Sequence, residues 1–134
     1  MRKILFNELG TFKSSPNQSE YNIRHAYYCI KFKKNKVGDV VKFHMSRQVL
    51  TLLGVSESDR RIQIHPYKGG LVIYKTKEDG FLISLLGYGA VNQKQLANEI
   101  YAYMDFVEEI SIDAVEEITL VKGKQKYHAI YIHI

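Results

Sequence analysis

A chain of 134 residues, 46% apolar and 25% charged, has the size and composition of one ordinary globular domain, and 1–134 is expected to fold as one. The formal charge of +5 conceals a sharper asymmetry, since residues 1–77 hold fifteen Lys or Arg against five Asp or Glu and residues 78–134 hold four against nine. No apolar run approaches the roughly 20 residues that span a bilayer, the start MRKILFNELG lacks a signal peptide's apolar stretch and cleavage site, and a single cysteine, Cys29, excludes an internal disulfide, so a cytoplasmic protein with no membrane partner is expected.

KILF opens the chain as a strand. The polar GTFKSSPNQSE that follows makes 8–20 a loop or mobile arm. YNIRHAYYCIKFKK is rich in bulky and β-branched residues, with Tyr27, Cys29 and Lys31 on one face and Tyr28, Ile30 and Phe32 on the other. KNKVGD is a turn, and VVKFHM alternates again, which predicts a hairpin. Ser46 is suited to cap a helix, RQVLTLL places Val49, Leu50 and Leu53 at helical spacing, and Gly54 stops it. SESD turns the chain, after which RRIQIH and LVIYK flank PYKGG as a second hairpin.

FLISLL is short and apolar enough for a buried strand, which GYGAV breaks. Asn92 with Gln95 reads as a capping box, and Leu96, Ile100, Tyr103, Met104 and Val107 fall on one stripe of a helix over 93–105. VEEISIDAVEEITLV fits neither period and reads as a loop or helical turn leading into a strand at 117–121. KGKQ is a turn. KYHAIYIHI alternates strictly, with His128, Ile130, Ile132 and Ile134 on one face and Tyr127, Ala129, Tyr131 and His133 on the other. The elements together predict an α+β fold, mostly antiparallel β with one short and one longer helix.

KFHMSRQVLTLLGVSESDRRIQI, followed by GGLVIYK, resembles over residues 40–75 the swapped-hairpin DNA-binding domains of the AbrB, MazE and SpoVT type. That pattern is a short basic strand, a short helix ending in Leu-Gly-Val or Leu-Gly-Ile, a turn carrying Asp, and a two-stranded hairpin. Lys42 stands at the basic strand position, Arg47 at the basic start of the helix, Leu53, Gly54 and Val55 at its end, and Asp59 in the turn. Ser46 replaces the usual Pro, and Glu57 and Ser58 the usual Pro-Gly, departures that bear on the loop geometry and the intertwined dimer. The resemblance implies a transcriptional regulator that binds DNA as a homodimer.

Phosphate contact requires Lys and Arg along one surface. The candidates are Lys33, Lys34, Lys36, Lys42, Arg47, Arg60, Arg61 and Lys68. The three arginines rank first, because a guanidinium can bind a phosphate or a guanine edge with two parallel hydrogen bonds. Lys122, Lys124 and Lys126 fall in a turn of the acidic half and are not expected to take part.

Nothing in the sequence assembles a catalytic set. GYGAVN has Asn92 where a phosphate-binding glycine loop needs its third Gly. His25 and Cys29 share a strand face but lie about 13 Å apart along it. His44, His65, His128 and His133 show no metal-ligand spacing, and Glu108, Glu109, Asp113, Glu116 and Glu117 read as a solvated acidic face. A non-enzymatic DNA-binding protein without metal or cofactor is therefore expected. The alternative is a small phage-type or mobile-element inhibitor, such as an anti-CRISPR protein, that docks its basic or acidic face on a host nucleic-acid enzyme.

Overall fold

The computed structural model describes residues 1–13, 28–34, 41–84, 89–91 and 93–133. Its strands are β1 (Arg2–Leu5), β2 (Tyr28–Lys34), β3 (Val41–Met45), β4 (Arg61–Tyr67), β5 (Gly70–Thr76), β6 (Phe81–Leu82), β7 (Ala90–Val91), β8 (Glu109–Ser111), β9 (Val115–Lys122) and β10 (Gln125–Ile132). The helices are α1 (Arg47–Leu53) and α2 (Lys94–Tyr103). One sheet has the order β1, β9, β10, β5, β4, β6, and the other the order β7, β3, β2, β8. All pairings of these strands are antiparallel except that of β1 with β9, so the fold is α+β and mostly antiparallel, as the sequence predicts.

Local chemistry accounts for the punctuation. The Ser46 hydroxyl accepts from the Val49 backbone N–H at 3.3 Å, and Gly54 ends α1 at φ 75°, where a side chain would be strained. Between β4 and β5, Lys68 and Gly69 have φ of 47° and 81°, the two left-handed residues of a tight turn whose twist suits a hairpin. The strands therefore run to Tyr67 and restart at Gly70, closer together than the loop PYKGG suggests. Pro66 is tolerated inside β4 because β6 pairs only with Arg61 and Ile62, leaving no ladder bond for the missing N–H to make.

Three details differ from expectation. The cap position of α2 is Gln93, which makes no side-chain cap bond, and Asn92 lies outside the described residues. The buried stripe of α2 is Leu96, Ala97, Ile100, Tyr101 and Met104, whereas Tyr103 and Val107 are each 38% exposed. The chain leaves the helix at Asp105 and Phe106, with φ of 56° and 60°, so Val107 no longer follows the helical period. Finally, 109–111 forms β8 against β2, followed by a 3-10 turn at Ile112–Ala114 and then β9. A three-residue strand with one buried side chain, Ile110, is too short to show a period. Of the stretch 8–20, residues 14–20 are outside the described residues, while Gly10 and Lys13 are tied to Pro66 and Glu99 through backbone N–H donors at 2.9 and 2.7 Å.

The main core lies between the two sheets and draws on both helices, with Phe43, Met45, Leu50, Ile62, Ile73, Ile100 and Ile130 among its members. A second apolar cluster covers the opposite face of the six-stranded sheet. It comprises Ile4, Tyr67, Val72, Tyr74, Ile118, Leu120, Ala129 and Tyr131, with Phe6 and Leu9 packed against it. β10 therefore feeds both clusters, through Ile130 and Ile132 on one face and Ala129 and Tyr131 on the other. No helix among the described residues is long and apolar enough to cross a membrane.

The segment 40–75 gives β3, α1, β4 and β5 in that order, but β3 joins the four-stranded sheet and the β4–β5 hairpin joins the six-stranded one, where β5 pairs with β10 of the same chain. At Gly70 the backbone approaches β10 so closely that a Cβ would collide with the Ile132 carbonyl oxygen. Gly70→Ala is expected to lower stability by at least about 2 kcal/mol through overpacking, and Ser46→Ala, which removes only the α1 cap, by about 1 kcal/mol. Urea unfolding of the two variants beside the parent measures both.

Candidate functional site

Two of the sequence-predicted cations lie at opposite ends of one strand. Arg61 begins β4 and Lys68 follows its end, about 23 Å away along the strand. Arg47 is exposed in the first turn of α1, where its charge opposes the helix dipole. Lys33 and Lys34 close β2, and Lys42 stands opposite Lys33 in the other sheet. Lys36 lies outside the described residues. The basic and acidic halves of the chain do not form separate fields, because strands from one half lie beside strands from the other. β8 brings Glu109 to Lys31 at 3.6 Å, and β9 brings Glu116 to Arg2 at 3.7 Å.

A different constellation forms on the outer face of the six-stranded sheet. Alternation along β4 puts Arg61, Gln63, His65 and Tyr67 on that face, and the cross-strand register adds Tyr74 and Thr76 from β5 and Tyr127 from β10. His65, Gln63, Tyr74, Thr76 and Tyr127, together with Phe6, the 77–79 turn, Lys122 and Gln125, line a groove of about 660 Å³. The 77–79 turn is fixed from β4, since Gln63 Nε2 donates to the Asp79 carbonyl at 2.6 Å and Arg61 Nη1 to that of Gly80 at 3.0 Å.

Aromatic contacts build the groove. Tyr74 and Tyr127 are tilted against each other with ring centroids 5.1 Å apart, and His65 stacks parallel to Tyr74 at 6.0 Å. Phe6 meets His65 edge-on at 5.3 Å, and the Lys122 ammonium lies 4.5 Å from the centre of the Phe6 ring, a cation–π distance. Tyr127 is half-buried, and its hydroxyl donates to Gln125 Oε1 at 2.6 Å, which sets the ring's orientation.

Two titrations are displaced here. Burial pushes the Tyr74 phenol up to about 12, helped by neighbouring Tyr127 and Asp79, so it remains a neutral donor. Burial likewise holds His65 below its usual 6.5, opposed by the bond to Gly10 and reinforced by the Lys122 charge. The Gly10 carbonyl can only accept, so the 2.8 Å bond puts the proton on Nδ1 and leaves Nε2 as a bare acceptor. Nε2 is buried and has no hydrogen-bond partner among the described residues, and the same holds for Thr76 Oγ1.

Lysine placement completes the site. Lys75 is paired with Asp59, whereas Lys77 and Lys122 form no ion pair among the described residues. Lys122 thus enters the site although it belongs to the acidic half of the chain. Gly89 has a structural part instead, since at φ 59° its Cβ position is 2.7 Å from Leu50 Cδ1 and 2.8 Å from the Met45 carbonyl. No cluster of metal-ligating side chains occurs among the described residues.

The depressed His65 titration gives a signed prediction. The unfolded chain takes up a proton at the ordinary value of 6.5 and the folded chain only at lower pH. The stability this group contributes is therefore full above 6.5 and lost as pH falls through the window below it. His65→Phe is expected to flatten the decline of stability between pH 7 and about pH 5, measured by urea unfolding across that range. An unchanged slope would remove His65 as its source.

A scan of family models finds no match to the chain, and searches among curated proteins and among solved structures find none either.

Proposed function

We propose that the protein is a non-enzymatic nucleic-acid-binding protein, with DNA as its partner, that uses the outer face of the six-stranded sheet. The observation that carries this reading is the groove itself, whose lining combines aromatic rings with Lys77 and Lys122, neither of them in an ion pair among the described residues. Lysines of this kind attract phosphate and release its counterions, and aromatic rings give bases a surface to stack on. Transcriptional control by a homodimer is the use of such binding that the resemblance over 40–75 implies.

Electrophoretic shift of DNA across a salt series tests the reading. Affinity should fall as salt rises, and Lys77→Gln with Lys122→Gln should shallow the slope by about two, one for each phosphate that no longer has a cation beside it. Lys68→Gln, at the far hairpin turn, should leave the slope unchanged. Absence of binding at low salt would refute the proposal.

A specific observation also favours the second reading, a mobile-element inhibitor that docks on a host nucleic-acid enzyme. Beyond α2, Phe106 is 61% exposed, flanked by Tyr103 and Val107 at 38% each and by the exposed acids Asp105 and Glu108. Asp105 and Phe106 are consecutive residues in the left-handed region, a conformation that costs about 1–2 kcal/mol for each non-glycine residue. Asp105→Gly is expected to raise stability by about 1 kcal/mol. If this patch binds a basic cleft of a host nuclease, Phe106→Ser will weaken nuclease inhibition and leave DNA binding untouched.

A further inference from the structure

Resting on the nucleic-acid reading, we infer that the groove holds one unpaired nucleotide of a single strand, its base on Tyr127 and its phosphate on Lys122. The site is concave and ring-lined, and its volume of about 660 Å³ suits a ligand of small-molecule size. In a duplex the bases are stacked inside and offer no face to such a groove, whereas an unpaired base does.

Tyr127 is the ring placed for stacking. One side rests on Tyr74, the hydroxyl is fixed by Gln125, and the residue remains partly exposed at the groove. The face of Phe6 is already taken by the Lys122 ammonium. Lys122 also lines a second depression of about 320 Å³, formed with Leu5, Phe6, Asn7, Val121 and Gly123. A phosphate on Lys122 would thus lie between the two hollows, with room for the strand to continue past it.

The remaining groups set a direction. Glu78 and Asp79 lie among the groove residues contributed by the 77–79 turn, where their charge repels phosphate and accepts base N–H groups.

The test is an anisotropy titration with four labelled probes: a short single-stranded DNA, its RNA counterpart, the DNA as a duplex, and a strand with the same phosphates but abasic units throughout. The better base-bearing single strand should bind about tenfold or more tightly than the duplex and the abasic strand. Tyr127→Leu, which keeps an apolar side chain in place and is checked for folding by circular dichroism, should reduce it to the abasic level. The same variant should leave abasic and duplex binding unchanged. Lys122→Met should shallow the salt slope by about one for every probe. Comparison of the DNA and RNA strands identifies the source of the nucleotide. Equal binding of single strand and duplex, with no effect of Tyr127→Leu, would overturn the inference and leave the nucleic-acid reading standing. Failure of all four probes at low salt would overturn both.

Discussion

Strand β10 is the constraint on which the rest depends. It pairs along its length with β9 and over its second half with β5, and its side chains are buried on both faces from Ala129 to Ile132. A strand in that position must be covered twice. The isoleucine face is covered by the second sheet and the two helices, which is the ordinary solution for an antiparallel sheet. The tyrosine face has no such layer among the described residues. It is covered by its own aromatic side chains and by the segment that follows the edge strand β1, the Phe6–Glu8 turn with Leu9, which is fastened at Gly10 to His65 and Pro66.

That second cover is incomplete, and the groove is the consequence. Ile4, Phe6 and Leu9 pack with the sheet's aromatic cluster, while Tyr74 and Tyr127 are flanked by polar and charged groups from turns at the sheet's end. Aromatic rings suit such a margin because they bury large apolar area while carrying polar edges. Polar atoms there are placed before they are matched. His65 and Thr76 each keep a buried atom without a partner among the described residues, a condition that costs about 1–3 kcal/mol per group unless a ligand or water relieves it.

Much of the fold is legible in the sequence because it rests on short-range rules. Ser46 and Gly54 delimit α1, and the alternation of KYHAIYIHI identifies both faces of β10. Alternation tells which residues share a face and is silent on what covers it, so the burial of Tyr131 beside Ile132 could not be read. The site was legible only in pieces. Tyr74, Tyr127 and His65 come together through cross-strand register, and Phe6 joins them from the chain's beginning, contacts with sequence separations that no local period encodes. Arg61 does lie on the groove's face, where its guanidinium holds the Gly80 carbonyl, so its visible part is to shape the rim. Phe106 stands out from α2 because two residues leave the right-handed region, and a break without glycine or proline has no sequence signature.

Charge shows most plainly why composition and site part company. An excess of lysine and arginine in the first 77 residues suggests a basic surface, yet a cation contributes to binding only in so far as no carboxylate already neutralises it. Topology decides that. Parallel pairing of β1 with β9 sets Arg2 against Glu116, the β2–β8 ladder sets Lys31 against Glu109, and the loop before β4 returns Asp59 to Lys75. Lys122 escapes because β9 carries it past the last acidic residue of its own strand, to the hairpin end where Phe6 and not a carboxylate lies beneath it. A ring attracts the ammonium more weakly than a carboxylate would and leaves its full charge available to an incoming phosphate. The acidic half of the chain thus contributes a lysine with no carboxylate partner among the described residues, a result that follows from strand register and not from the net charge of that half.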